Sequence, residues 1–203
     1  MEKTSSDNNY KFKKHFARIN WKEWRDAAIW ALLLAIFVRT LFFEPYKIPT
    51  TSMVPTLIPG DKIFVSKVHY GPRIPFVGWR IKGFTAIKRG DIVVFIAPPD
   101  RSKCYVKRAI GIPGDKVSIM DGKIFINDQP VKDPKISKNY YYDFGDYFKS
   151  NKSIIVPKGS YFMLGDNSAF SKDSRYWGFV SQKDIIGKSL FIWWPLNRVQ
   201  LTE

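Results

Sequence analysis

The sequence has few of the residues that usually build disulfides, metal sites and histidine-based catalytic centres. Its 203 residues include one cysteine, Cys104, and two histidines, His15 and His69. A single cysteine excludes an intramolecular disulfide and a multi-cysteine metal site, and two histidines argue against a histidine-rich metal site. The sequence therefore implies no metal and no other cofactor.

Acidic residues are also scarce in comparison with basic ones. The chain has 33 lysines and arginines against 18 aspartates and glutamates, which gives a formal net charge of +15. Such an excess fits nucleic acid, an anionic membrane surface or a solvated exterior. Phosphate-binding signatures and aromatic RNA-binding motifs are absent from the sequence, so nucleic acid is not expected as a partner. Membrane lipids are the better candidate partner for this charge.

Long apolar runs are nearly absent, and only one approaches the thickness of a membrane. Residues 27–43 are apolar except for Arg39 and Thr40. A helix of about 17 residues spans about 26 Å, against about 30 Å for a hydrocarbon core, and nearby tryptophans can extend it at one interface. We therefore expect a transmembrane signal anchor over residues 26–43.

The charges before this run predict its orientation. Residues 1–25 carry 7 basic and 3 acidic side chains, and the positive-inside rule keeps such a tail in the cytoplasm. Residues 44–203 are then extracytoplasmic. A cleaved signal peptide would need small residues after the run, where Phe42 and Phe43 stand. A buried core helix would show an apolar period that separates two faces, and no such period is present.

The rest of the chain predicts an all-β body of antiparallel sheets. Strands are expected over residues 62–68, 91–97, 117–120, 123–126, 154–156, 161–164 and 185–193, and the second of these is expected to be buried on both faces. Asp121-Gly122 joins two of these runs and predicts a hairpin with a type I′ turn. A second hairpin is expected within residues 154–164. Residues 71–89 and 132–153 are predicted loops, and no helix is expected beyond the anchor.

A serine between two prolines follows the apolar run. Pro49 and Pro55 fix their own φ angles and push the preceding residue out of helical space. Ser52 is therefore expected on a short, exposed, extended stretch, which suits a nucleophile but also an ordinary loop. A serine hydroxyl needs a base to take its proton. Neither His15, expected in the cytoplasm, nor His69, at a strand end, is a good candidate for that base.

A lysine within an otherwise apolar strand is the alternative base. If residues 105–111 form a strand, Lys107 shares one face with Tyr105 and Ala109, while Arg108 points to the other face. Burial lowers the pKa of a lysine from about 10.4, by up to about 3–5 units in extreme cases, so that it can be neutral. The local pattern alone fits an exposed lysine on a basic protein equally well.

Three stretches together resemble bacterial type I signal peptidases, the Ser-Lys proteases that cut leader peptides from exported proteins. They are Pro49 to Leu57, Tyr105 to Asp115 and Gly165 to Arg175, and the resemblance runs over residues 39–193. It implies a signal-peptidase-type β domain outside the bacterial plasma membrane, behind a single anchor. It also implies Ser52 as nucleophile, Lys107 as general base, and signal-peptide-bearing preproteins as substrates.

The resemblance also implies supporting roles for other residues. Thr50 would donate its hydroxyl to the oxyanion beside the Ser52 N–H, Ser171 would orient the lysine, and Asp173 and Arg175 would form a supporting ion pair. Shallow apolar pockets would accept small residues at the first and third positions before the cut. The residues that match the pocket walls are Tyr46, Ile48, Pro49, Met53, Leu57, Tyr105 and Val106.

Three positions depart from the family's common pattern. Thr50 stands where serine or glycine is usual, and Ser168 and Phe170 stand where arginine and asparagine are commoner. A specialised conjugation-type maturation peptidase and an inactive membrane-anchored binding module remain alternatives. A self-cleaving repressor is excluded by the anchor and by the lack of a DNA-binding segment. The Tyr-rich stretch over residues 140–144 indicates no role by itself.

Overall fold

The computed structural model of the protein describes residues 20–72, 83–148 and 153–202. The chain divides between Thr40 and Leu41 into an amino-terminal unit and a larger carboxy-terminal unit. Predictions for residues 1–19, which include His15, lie outside the described residues. So do the middle of the predicted loop over 71–89 and the last part of the loop over 132–153.

A single long helix forms the described part of the amino-terminal unit. This helix, α1 (Trp21–Leu41), has Glu23 in its first turn and Arg39 in its last, which complements the helix dipole. It begins earlier than the predicted anchor and ends before Phe43, which already belongs to a strand. Within the described ranges, no helix combines the length and the apolarity needed to cross a membrane. The predicted membrane span is therefore not confirmed.

The carboxy-terminal unit is built mainly from antiparallel strands. The described strands are β1 (Phe43–Lys47), β2 (Lys62–Ser66), β3 (Ile92–Ile96), β4 (Cys104–Gly111), β5 (Lys116–Met120), β6 (Lys123–Ile126), β7 (Gln129–Pro130), β8 (Ser153–Ile155), β9 (Ser160–Leu164), β10 (Val180–Ser181), β11 (Ile185–Trp194) and β12 (Gln200–Leu201). One sheet has the order β1-β2-β11-β3-β4-β9-β10, with β12 on β11, and the other has the order β7-β6-β5-β8. The prediction of a mainly antiparallel β body is confirmed.

Strand β3 runs through the middle of the larger sheet, and both of its faces are buried as predicted. Val93 and Phe95 pack into one core cluster together with Ala109 of β4. Ile92 and Val94 pack into a different cluster on the other face of β3. This cluster also contains Met53 and Leu57 from the loop after Pro49. Because β4 pairs with β3 in register, the same sheet positions the serine loop and the lysine strand.

One predicted hairpin is present and the other is wrong. Strands β5 and β6 pair antiparallel, and Asp121 and Gly122 have φ angles of 49° and 75°, as a type I′ turn requires. Strand β8, by contrast, pairs with β5, while β9 pairs with β4 and β10. The segment after β8 stays with the smaller sheet because Val156 exchanges backbone hydrogen bonds with Gly114 and Asp115.

Two one-turn helices were not predicted, so the expectation of no helix beyond the anchor is wrong. They are α2 (Pro134–Ser137) and α3 (Ser174–Trp177). In each, an aspartate caps the first turn: Asp133 accepts from the Lys135 N–H at 2.9 Å, and Asp173 accepts from the Arg175 N–H at 3.2 Å. Aspartate is a favoured N-cap residue, so the sequence did contain the signal for these turns.

Candidate active site

The side chains of Ser52 and Lys107 meet although they are far apart in the sequence. Lys107 Nζ donates a hydrogen bond to Ser52 Oγ at 2.5 Å. Only 6% of Ser52 and 5% of Lys107 are exposed. The expectation that Ser52 lies on an exposed stretch is therefore wrong for this residue. The loop folds inward because Met53 and Leu57, which follow Ser52, are buried in the core beside β3.

The lysine has an environment that favours its neutral form. Burial lowers the pKa of Lys107 from 10.5 to about 8, and the positive charge of Arg175 contributes in the same direction. The charges of Asp173 and Asp166 oppose this shift without cancelling it. Lys107 Nζ also lies 5.6 Å from the centroid of the Tyr105 ring, on the same face of β4. A lysine in this setting can accept a proton near neutral pH.

The neighbouring cation on the opposite face of β4 is fully paired. Arg108 Nε and Nη2 donate to the two carboxylate oxygens of Asp166 at 2.7 Å and 2.6 Å. Arg108 Nη1 donates to the Gly90 carbonyl at 2.6 Å. Thr56, in the serine loop, donates its hydroxyl to the same carboxylate at 2.5 Å. This network therefore joins all three of the stretches that the sequence singled out.

The sequence interpretation missed this network. It treated Arg108 only as a side chain that points away, and it gave Asp166 no functional role. The available signal was the alternation of β4, which buries Arg108 on the face opposite Lys107. A buried arginine needs a carboxylate or several acceptors, and Asp166 is the aspartate that directly follows Gly165 in the last stretch.

The last stretch lies directly against the serine loop. The Asn167 N–H donates to the Ser52 carbonyl at 3.1 Å, and Asn167 Nδ2 donates to the Thr51 carbonyl at 3.2 Å. A side chain at Gly165 would place its Cβ 2.4 Å from the Ser52 carbonyl oxygen and 2.3 Å from Ser171 Oγ. Only glycine fits this approach, so the position of the nucleophile loop depends on the third stretch.

The expected ion pair between Asp173 and Arg175 is present and buried. Arg175 Nε donates to Asp173 Oδ1 at 2.8 Å, and both side chains are 0% exposed. Arg175 Nη1 also donates to Ser168 Oγ at 2.6 Å, and the Tyr142 N–H donates to the same oxygen at 2.9 Å. Ser168, which departs from the family pattern, thus connects the ion pair with the middle of the Tyr-rich stretch.

The expected hydrogen bond from Ser171 to the lysine is absent. Ser171 Oγ is buried, and it has no hydrogen-bond partner within the described part of the chain. Its neighbour across the contact is Gly165, which leaves the hydroxyl close to carbon atoms and to the serine loop. Thr50, unlike Ser171, has its hydroxyl where the resemblance implies, beside the nucleophile: Thr50 Oγ1 lies 3.3 Å from Ser52 Oγ.

A cavity of about 500 Å³ opens beside the Ser52–Lys107 pair. Its walls are formed by Tyr46, Lys47, Ile48, Pro49, Thr50, Ser52, Met53, Lys103, Cys104, Tyr105, Val106, Lys107, Phe170 and Lys172. Every expected pocket residue except one lies in these walls. The exception is Leu57, which is fully buried in the core. The prediction that Leu57 lines the pocket is wrong, because the loop turns inward after Ser52 and buries this side chain. The sequence interpretation did not predict five of the lining residues, which are Lys47, Lys103, Cys104, Phe170 and Lys172.

The described histidine lies away from the cavity. His69 Nδ1 is 2.7 Å from Ser66 Oγ at the end of β2, and His69 does not line the cavity. Among the residues that the structure describes, no group of three or more histidines, cysteines, aspartates or glutamates could hold a metal ion. The chemistry that this arrangement can support is proton transfer from a serine hydroxyl to a buried lysine, next to an open cavity.

Comparison with known proteins gives consistent matches. The family model described as signal peptidase, peptidase S26, matches residues 21–194. Signal peptidase I of Bacillus licheniformis is 37% identical over 89% of this chain and 92% of that protein. Signal peptidase I T of Bacillus subtilis (strain 168) is 36% identical over 89% of each chain. Signal peptidase I of Buchnera aphidicola subsp. Baizongia pistaciae (strain Bp) is 36% identical over 84% of this chain and 76% of that protein.

A solved structure of a signal peptidase I from Enterococcus faecalis V583 is 35% identical, over 51% of this chain and 97% of that chain, with a TM-score of 0.43. The family model covers most of the sequence, from the start of α1 to the end of β11. The chain belongs to the signal peptidase family, peptidase S26.

Proposed function

We propose that this protein is a membrane-bound serine endopeptidase that removes N-terminal signal peptides from exported preproteins. Ser52 is the nucleophile and Lys107 the general base. The observation that carries the proposal is the hydrogen bond between Lys107 Nζ and Ser52 Oγ at the wall of the cavity. The names of the relatives supply the substrate class, and the chemistry of this chain follows from its own side chains.

In the first half of the reaction, the neutral Lys107 amine accepts the proton of the Ser52 hydroxyl. The Ser52 oxygen attacks the carbonyl carbon of the scissile bond, and the carbonyl oxygen becomes an oxyanion. When the tetrahedral intermediate collapses, the C–N bond breaks and the leaving amine takes a proton from the Lys107 ammonium group. An acyl-enzyme ester on Ser52 remains.

In the second half, Lys107 accepts a proton from a water molecule that attacks the ester. The C–O bond to Ser52 then breaks, and the serine oxygen recovers its proton from the lysine. The signal peptide leaves with a free carboxylate. Lysine can serve in both halves because burial keeps its pKa at about 8, close to the working pH.

The developing oxyanion needs hydrogen-bond donors. The proposed donors are the Ser52 backbone N–H and the Thr50 hydroxyl, which lies 3.3 Å from Ser52 Oγ. The buried ion pair of Asp173 and Arg175 is proposed to hold the stretch that packs against the serine loop. The proposed role of Ser171 is limited to packing, since its hydroxyl bonds to nothing within the described residues.

The proposed substrate segment is extended and carries small residues before the cut. Apolar side chains form most of the cavity wall, and the proposed selection of small residues rests on steric exclusion of larger ones by these side chains. The pocket residues proposed here are Tyr46, Ile48, Pro49, Met53, Tyr105 and Val106. An extended peptide can also pair its backbone with the segment before Pro49, as peptides do at open sheet edges.

We also propose a single-pass arrangement in a bacterial plasma membrane. Residues 1–25 would be cytoplasmic, residues 26–43 would form the anchor, and residues 44–203 would be the extracytoplasmic catalytic domain. Support comes from the large apolar side chains that α1 exposes, which are Trp21, Trp24, Ile29, Trp30, Leu32, Leu33, Leu34, Ile36, Phe37 and Val38. Side chains of this kind favour a lipid environment.

The arrangement can be tested by expressing the full chain in a bacterium. The protein should stay in the membrane pellet after washing with alkaline carbonate, and protease added outside the membrane should digest residues 44–203. A double variant, Leu33→Asp with Ile36→Asp, should shift the protein to the soluble fraction. Release of the unaltered protein by the carbonate wash would contradict the proposed anchor.

The peptidase function is tested by cleavage of a purified preprotein in detergent. The unaltered protein should cut at a small-x-small site, whereas Ser52→Ala and Lys107→Ala should lower the rate by about 10⁴-fold or more. Circular dichroism and detergent gel filtration would show that both variants stay folded. Near-normal cleavage by either variant would refute the proposed Ser-Lys mechanism.

A further inference from the structure

Every charged side chain in the wall of the cavity is a lysine. Among the described residues, the charged members of the wall are Lys47, Lys103, Lys107 and Lys172, and no aspartate or glutamate belongs to it. Lys107 is buried, but the other three are exposed. The exposed charges in the cavity wall are therefore all positive, although most of its inner surface is apolar.

Several cations elsewhere on the carboxy-terminal unit have a carboxylate partner. Such pairs are Arg89–Asp115, Arg108–Asp166, Lys116–Asp128, Lys188–Asp91 and Arg198–Asp61. Lys103 also has one, because its Nζ lies 2.7 Å from Asp100. Lys47 and Lys172, by contrast, form no ion pair within the part of the chain that the structure describes. Their charges are available to a bound peptide.

Local backbone geometry explains why Lys172 faces the cavity. Ser171 is extended, with φ and ψ of −121° and 118°, and neighbours of an extended residue point to the side opposite its own side chain. Ser171 is buried, whereas Phe170 and Lys172 are exposed and both belong to the cavity wall. The lysine is thus held beside the nucleophile by the same segment that packs against the serine loop.

Lys47 and Lys103 approach the cavity from other segments. Lys47 is the last residue of β1 and precedes Ser52 by five positions. Lys103 directly precedes β4, the strand that carries Lys107. The three exposed lysines therefore come from three segments, of which two lead along the chain to Ser52 or Lys107 and the third packs against the serine loop. A peptide in the cavity would meet positive charge at more than one position along its length.

We propose that Lys47, Lys172 and Lys103 select substrates with carboxylate side chains close to the cleaved bond. This inference rests on the proposed peptidase function and adds a specificity to it. Opposite charges raise the rate of encounter and fix the register of the bound peptide. An exposed lysine–carboxylate pair contributes about a twofold to fivefold preference, so the effect tunes selection and leaves the requirement for small residues unchanged.

The test uses peptides that share one small-x-small site. Aspartate, asparagine or lysine is placed in turn at each of about four positions on either side of the cut, and kcat/KM is measured for the purified full chain in detergent. At one or more positions, the aspartate peptide should exceed the lysine peptide by about fivefold at low salt. The ratio should approach one at about 0.5 M salt, because salt screens exposed charges.

Charge-reversed variants identify which lysine is responsible. Lys172→Glu and Lys47→Glu should each invert the aspartate-to-lysine ratio, at different peptide positions. The matched control is Lys158→Glu, an exposed lysine between β8 and β9 that does not line the cavity. This control should keep the ratio of the unaltered protein.

Two outcomes would overturn the inference. One is equal kcat/KM for the three peptides at every position. The other is an unchanged ratio in both cavity variants, which would mean that any preference arises elsewhere. Failure of the proposed peptidase function would look different, because then no peptide would be cut, including the neutral asparagine series, and both proposals would fall together.

Discussion

The two faces of β4 each carry a buried cation, and only one of the two has a carboxylate partner among the described residues. Lys107 and Arg108 are adjacent in the sequence, and only 5% and 1% of their surfaces are exposed. Arg108 makes a two-pronged ion pair with Asp166. Lys107 has no carboxylate in contact and donates only to the hydroxyl of Ser52 among the described residues. One strand therefore places a paired and an unpaired cation back to back.

The comparison shows how one strand can lower the pKa of one buried cation and keep the adjacent one charged. Burial alone lowers the pKa of a cationic group, and for Lys107 it does so to about 8. Burial also acts on Arg108, but the hydrogen bonds and the charge of Asp166 outweigh it and raise the pKa of Arg108. Two differences therefore separate the cations. A guanidinium keeps its proton in any case, and Asp166 compensates its buried charge, whereas Lys107 is an amine without a carboxylate in contact among the described residues and can lose its proton.

Exchange of the two cation types gives the sharpest test of this comparison. Lys107→Arg should lower kcat by about a thousandfold, because guanidinium does not lose its proton and cannot act as a base. Arg108→Lys should lower stability and cost far less activity. Single-turnover cleavage, with circular dichroism as a folding control, measures both. A Lys107→Arg variant within about tenfold of normal activity would show that Lys107 is not the base.

Removal of the carboxylate should break the paired face. Asp166→Ala leaves Arg108 buried without its partner, and we expect a loss of about 3–5 kcal/mol in the free energy of unfolding. The double variant Arg108→Met with Asp166→Leu should recover most of that loss, because no unpaired charge remains. Urea denaturation measures both. The control is Lys116→Ala, which breaks an exposed ion pair and should cost less than about 1 kcal/mol.

On the unpaired face, removal of the charge should stabilise the protein. Lys107→Met should raise the free energy of unfolding near pH 7 by about 3 kcal/mol, from about 1.4 kcal/mol for each unit by which the pKa is lowered. The folded pKa lies below the unfolded one, so the unfolded chain binds more protons between about pH 8 and 10.5. Stability of the unaltered protein should therefore rise across that window, and the rise should vanish in the variant.

The same pKa predicts the pH dependence of cleavage. Only neutral Lys107 can accept the serine proton, so the rate should rise with pH and level off above an apparent pKa of about 8. Below that value the rate should fall about tenfold for each pH unit. His69→Ala should leave the profile unchanged, because His69 lies outside the cavity. A profile that shifts in His69→Ala would contradict the assignment of the base.

The smallest effect is expected at Ser171. Its hydroxyl makes no hydrogen bond within the described residues, so Ser171→Ala should change the free energy of unfolding by less than about 0.5 kcal/mol. Ser168→Ala is the matched comparison, since it removes an acceptor used by Arg175 and Tyr142, and it should cost about 1–3 kcal/mol. A loss above about 1 kcal/mol in Ser171→Ala would show that its hydroxyl is bonded in solution.

Much of the local structure could be predicted because it depends on neighbours in the chain. The Asp121-Gly122 turn, the two buried faces of β3 and the alternation at Lys107 and Arg108 all follow from short-range rules. The roles of Ser52 and Lys107 also came from the sequence, but only through the resemblance of three separate stretches. Those roles remain predictions that the variants above can test.

What the sequence alone determined, then, was the tight turn and most of the longer strands, and the resemblance added most of the apolar residues around the cavity. Only the tertiary structure decided that Ser52 is buried, that β8 leaves its expected partner and that Asp166 pairs with Arg108. The physical reason is that burial and ion pairing depend on residues distant in sequence. No local period records which carboxylate will reach a buried cation, although that contact sets whether the buried charge is compensated.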